Sequence, residues 1–280
     1  MDAYLAGYSR WDDKPTNSFF RLAWRNMVDS STERTLHAAL IPPGAAHVHT
    51  VHSLRLDAVE ISVAAGVWSS LPLDFFVKVT GVSKVQAETA ARVPHPRDHP
   101  LVPALTLRAL RLNCLTADYE PLWQEVFGAH GHVWAHDSWT FDPFDDPAIW
   151  TPAPLNAVTC EWTMATPLRR DWERRQALVE IDAIVAVMLG ITADELCAIY
   201  RTQFGVLRKY ERRDRYDRHG RKVDLDVLRG YQRWEDSGRA GRPPALGRFE
   251  LPFRAMDREA DMTRGHDAFA HVAQDPAEAR

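Results

Sequence analysis

Apolar residues recur at 178, 181, 184, 185, 188 and 189, one stripe of a helix that Gly190 is well placed to stop. Thr192-Ala-Asp-Glu195 follows with capping-box spacing and opens a helix through Leu196, Ile199 and Tyr200. Val59, Val63 and Val67 mark an earlier helix over 59–68, which ends before Pro72. A further helix is expected over 105–115, apolar at 105, 107, 110, 112 and 115, with Arg108 and Arg111 on its other side. The run 73–79, closed by Gly81, fits either a short helix or a buried strand. Two β-prone runs, 36–41 and 47–54, flank Pro42-Pro43-Gly44 and predict a hairpin. The segment 18–27 before them suits a short helix or an extended lead-in. From 128 to 166 no period is sustained and Trp, Pro and Asp are frequent, which predicts an irregular insertion. Beyond Glu259 the chain is polar and is expected to fray. The fold class is therefore α+β: a small N-terminal hairpin or sheet with helices, then a mainly helical part. Four stretches follow: 1–127 (α+β), 128–168 (insertion), 169–262 (helical and Arg-rich) and 263–280 (polar tail).

Composition changes this picture little, but charge changes it more. With 45% hydrophobic and 26% charged residues the 280-residue chain is ordinary for a globular protein. No apolar run of about 18 residues and no signal-peptide pattern occur, and Cys114, Cys160 and Cys197 are single and widely spaced. A cytoplasmic protein with reduced thiols and no membrane contact is expected. From Arg201 to Arg248 there are 12 Arg and 2 Lys against 7 acidic residues, a balance of +7. Since the whole chain carries −4, the remainder carries −11. Such asymmetry points to a polyanionic partner, although the interleaved acids fit a salt-bridged helix surface equally well.

Candidate chemistry is sparse. His47, His49 and His52 form a cluster, and on a strand His47 and His49 share a face, as two metal ligands could. His52 then points the other way and no carboxylate or Cys completes a set, so solvent-facing histidines able to touch phosphates or base edges are the preferred reading. His130, His132 and His136 are read as solvent-facing loop histidines. Phosphate-loop, nucleophile-elbow, dinucleotide and zinc-protease patterns are absent. Ile41-Pro42-Pro43-Gly44 lacks the preceding Asn or Asp and the following aromatic of an adenine-methylase motif, and is read as a turn. Cys114 is read as a buried thiol, Glu180 as a helix-surface residue and Asp182 as partly buried beside an Arg. No catalytic residue and no metal site is assigned.

FRLAWR at 20–25, TERTLHAALIPPG at 32–44 and HSL at 52–54 together resemble the start of the TaqI-type C-terminal specificity domain of large adenine-N6 DNA methyltransferases. LPLDFFVKVTG at 71–81, LRLNCLT at 110–116, RRQALVEID at 174–182 and IYRTQFGVLRKYE at 199–211 extend the resemblance to the C-terminal part of class I methylases of DISARM- and BREX-like phage-defence systems. The likeness runs from about Trp11 to Asp261. It implies that the sheet near 35–53 and its adjoining loops read double-stranded DNA. By residue type, the candidate contacts are Arg34, Thr35, His47, His49, His52, Ser53, Arg108, Arg111, Asn113, Arg208 and Arg212.

In that family the catalytic domain precedes this region, whereas here Met1 lies just before it. Either a separate methyltransferase polypeptide or other defence-system subunit supplies the methylase, or the chain is a split or truncated gene product; S-adenosylmethionine is expected on a separate catalytic partner, with no cofactor on this chain. Two other functions compete: a structural subunit of a defence complex without DNA contact, and a metal-dependent hydrolase or nuclease built on the His47/His49/His52 cluster.

Overall fold

The computed structural model of the chain describes residues 9–29, 31–141, 152–241 and 246–274. Its β part comprises β1 (Arg10–Trp11) with β2 (Lys14–Pro15), and a three-stranded antiparallel sheet of β3 (Arg21–Arg25), β4 (Ala38–Ile41) and β5 (Val51–Leu54). Ten helices follow among the described residues: α1 (Ala58–Trp68), α2 (Leu71–Val79), α3 (Ala87–Ala90), α4 (Val102–Asn113) and α5 (Glu120–Trp134), then α6 (Asp171–Met188), α7 (Ala193–Gln203), α8 (Gly205–Glu211), α9 (Leu225–Asp236) and α10 (Arg258–Gln274). The α+β class is as expected from the sequence. No single helix among the described residues is long and apolar enough to cross a membrane.

The hairpin is corrected. β4 and β5 do not pair; each lies antiparallel to β3, which takes the centre of the sheet, with Leu22 opposite both Leu40 and Leu54. The segment read as a lead-in thus supplies the most buried strand. Leu22 and Trp24 are both buried, and Trp24 packs on Trp68 of α1 with ring centroids 4.8 Å apart. Pro42-Pro43-Gly44 does turn the chain, with Gly44 at φ +86°, but it opens a loop that carries the chain from one side of β3 to the other.

α6 is the hub. Its neighbours are α1, α2, α4, α7 and α10, so it is buried on nearly every side rather than along the single stripe expected. The positions 105–115 do form a helix, α4, which crosses α1 where Gly66 meets Leu105. Gly190 (φ +70°) ends α6, and Thr192 opens α7 with both capping-box hydrogen bonds formed.

Two boundaries shift. The irregular stretch expected from residue 128 begins inside α5, which places His130 and His132 on a helix, and the tail expected to fray is α10, seated on α6 through buried Met262 and Phe269. One apolar core runs from Leu22 to Phe269 and joins all of these stretches. Part of the Trp-rich segment, 142–151, lies outside the described residues.

Candidate nucleic-acid interface

α6 carries five buried polar or charged side chains between 173 and 182, and the surrounding elements must answer each one. Glu180 accepts from Arg108 Nε (2.6 Å), from Gln176 (3.0 Å) and from the amide and hydroxyl of Thr140 (2.9 and 2.8 Å). Arg108 also donates to both carboxylate oxygens of Asp137, at 2.7 and 3.0 Å. Burial opposes its charge, but Asp137 and Glu180 more than offset this and hold the guanidinium above its ordinary value. Asp182 accepts from Arg258 Nη2 (2.6 Å) and the Leu71 amide (2.7 Å), with Arg34 at 3.6 Å. Glu180 and Asp182 are therefore both fully buried, a correction to the surface and partly buried positions read from the sequence.

This network consumes several candidate DNA contacts. Arg108 is wholly inside. Arg111 is buried and clamps the loop before α6, donating to the carbonyls of Leu155 (2.7 Å), Thr166 (2.8 Å) and Ala165 (3.2 Å). Burial pushes its pKa down to about 10, with the Glu173 carboxylate opposing. Asn113 ties α4 to β4, accepting from the Leu40 amide (3.0 Å) and donating to the Ala109 carbonyl (2.8 Å). Thr35 is buried and its amide donates to Asp74. Arg34 is mostly covered beside Asp182. These residues hold the fold.

The histidine cluster is also corrected. His47 and His49 lie in the loop before β5, not side by side on a strand; only His52 and Ser53 are in β5. His47 Nε2 is 2.9 Å from Ser53 Oγ, and His52 Nε2 is 3.3 Å from Asn26 Nδ2. His49 is exposed. Cys114 is buried, as read from the sequence, and burial raises its thiol pKa.

Arg208 and Arg212 behave differently. They sit on and just after α8, in a run that also holds Lys209 and Arg213. Among the described residues none of these four cations forms an ion pair with a carboxylate. The one acid among them, Glu211, turns inward: it accepts from Arg258 (2.6 Å) and Tyr200 (2.9 Å), and Arg175 Nε lies at 3.5 Å. Burial alone would raise the Glu211 carboxyl, yet Arg258 and Arg175 hold it below the usual range. The interleaved acid therefore does not neutralise the surface that α8 presents.

Beyond α8 a tight turn stiffens the chain. Asp217 is fully buried and accepts from the His219 and Arg221 amides (2.9 and 3.0 Å), from the Arg221 guanidinium (2.6 and 2.9 Å) and from the Glu250 amide (3.2 Å). Burial works against its charge, but these donors win and hold its carboxyl below the ordinary value. α9 then runs alongside, none of its side chains buried, with Leu225, Leu228, Tyr231 and Trp234 at every third position. Arg212 lines two clefts, one of about 410 Å³ with Tyr200, Arg208 and Met256 that also holds the acids Glu211, Asp257 and Glu259, and one of about 630 Å³ with α9 and Phe253. Sequence reading missed Lys209, Arg213, Arg215, Arg229, Tyr231 and Phe253, though the 225–228–231–234 spacing beside arginines was the available signal.

No known protein family, no curated protein and no solved structure matches this chain.

Proposed function

We propose that the chain is the DNA-recognition part of an adenine-specific methyltransferase or phage-defence system in the cytoplasm. It docks on double-stranded DNA through α8 and the turn that follows. In this reading S-adenosylmethionine binding and methyl transfer belong to a methyltransferase catalytic unit that works with it. The supporting observation is the cationic run Arg208, Lys209, Arg212 and Arg213, whose only interleaved acid is turned into the core against Arg258. Phosphates attract such unneutralised cations and release counterions on contact, so affinity should be strongly salt-dependent. The sequence resemblance supplies the adenine-methylase context. Within that reading the DNA-facing surface moves from Arg108, Arg111 and Asn113 to α8.

Fluorescence anisotropy with labelled duplex DNA across a salt series tests this. Wild-type binding should weaken steeply with salt. The double variant Arg208→Glu/Arg212→Glu should bind more weakly, with a log–log salt slope flatter by about 2 if each side chain meets one phosphate. Arg97→Glu, on an exposed arginine far along the chain, is the control and should change little. Binding that is absent, or indifferent to salt and to the double variant, sinks the proposal.

A further inference from the structure

The cleft along α9 carries more than phosphate binding requires. Its lining combines Arg212, Arg213, Arg215 and Arg229 with Leu225, Leu228, Tyr231 and Phe253, and with one acid, Glu235, whose carboxylate pairs with Arg239 (2.9 Å) and accepts from the Tyr231 hydroxyl (2.8 Å). Tyr231 and Phe253 meet edge to face, with centroids 5.2 Å apart, and Leu225 is 42% exposed. Arg215 is fixed by donating to the carbonyls of Arg212 (2.9 Å) and Asp214 (2.8 Å), contacts that hold its position while leaving its charge in place. Among the described residues Arg229 pairs with exposed Asp226 alone, an i,i+3 contact of little strength.

An intact duplex offers phosphates but hides its base faces, so it would leave the apolar lining uncovered. A free phosphate would do the same. A strand with unstacked bases satisfies both halves of the cleft, because arginines take the backbone and aromatic or aliphatic side chains take the bases. At about 630 Å³ the cleft is within the size range of small-ligand sites. Gln232 also lines it and has the amide that reads a base edge. We propose that this cleft binds an unpaired nucleotide of a DNA strand, with phosphate on the arginines and base against Leu225, Leu228 and the Tyr231–Phe253 pair. The inference rests on the reading that the α8 face meets DNA, and adds that the duplex is opened or distorted beside it.

Affinities are compared by anisotropy for a labelled duplex and for the same duplex with a central unpaired bubble of about four nucleotides, a length in the range that single-strand-binding folds cover. Wild type should bind the bubble about tenfold more tightly, the scale of one base–aromatic stack. Tyr231→Ala should abolish that preference and leave duplex binding intact, which doubles as the folding control. Should Tyr231→Ala lose duplex binding too, Leu228→Gln decides by the same comparison. Equal binding of bubble and duplex by wild type, or a preference that survives the deciding variant, overturns the cleft assignment and leaves the α8 reading standing. Failure to bind either DNA removes both. Binding only of an acidic protein partner at this cleft also overturns it.

Discussion

At the scale of single residues, the type of a side chain said little about its task until its partners were known. Arg108 and Arg208 are both arginines on helices, yet one sits between Glu180 and Asp137 inside the core and the other, half-buried on α8, pairs with no carboxylate among the described residues. Removing Arg108 strands buried carboxylates. Arg108→Met is expected to cost about 3–5 kcal/mol in urea unfolding, the usual penalty for breaking a buried pair from one side. Adding Glu180→Gln should recover part of that loss, because the uncompensated charge goes with it. A variant as stable as wild type would contradict the network. Asp217 gives a pH signature. Its folded-state pKa lies below the ordinary 3.8, so the unfolded chain binds more protons near that pH. The stabilisation is present above about pH 4 and is lost as pH falls through the depressed value. Asp217→Asn should therefore cost roughly 2–3 kcal/mol at neutral pH, the worth of hydrogen bonds to a charged group. The gap from wild type should close on acidification below 3.8.

At the scale of elements, the helices marked by a local stripe, cap or stop were legible, while α5, α9, α10 and the strand pairing were not. The α7 capping box and the Gly190 stop are local chemistry, readable from adjacent residues, and both stand in the structure. Pairing of β4 with β3 instead of β5 is decided at a distance, by burial of Leu22 and Trp24 against α1. A Pro-Pro-Gly turn between two β-prone runs carries no sign that a third strand comes between them. α10 was misread because its polar residues include Arg258 and Asp261, which are buried and answer charges on α6. Of the candidate site, Arg208 and Arg212 were legible from charge density; their freedom from Glu211 was not, because that depends on Arg258, 47 residues on. The α1–α4 crossing offers a direct check. A Cβ at Gly66 would lie 2.6 Å from Leu105 Cγ and Cδ1, and Leu105 is fully buried with nowhere to move. Gly66→Ala gains up to about 1 kcal/mol of helix propensity. Overpacking of about 1–3 kcal/mol should outweigh it, giving a net loss in thermal or urea unfolding. A net gain would mean that the two helices part more easily than their packing indicates.

At the scale of the whole molecule, the charge is polarised: +7 lies in residues 201–248 and −11 elsewhere in a chain of net −4. A polyanion is attracted to that segment and repelled by the rest, which orients the encounter as well as speeding it. The same molecule is closed by its last described helix. Arg258 answers Asp182 and Glu211, Asp261 answers Arg175, and Phe269 completes the core beside Arg108. A chain cut before residue 258 should show no cooperative unfolding transition by circular dichroism, because those α6 charges and the apolar faces of Met262 and Phe269 lose their partners together. The closure also bears on synthesis. While a ribosome is still making this protein, Asp182 of α6 has left the exit tunnel before Arg258, its partner 76 residues later, has emerged. That pair at the centre of the fold therefore forms only once α10 has emerged, seconds after α6 at ordinary rates of translation.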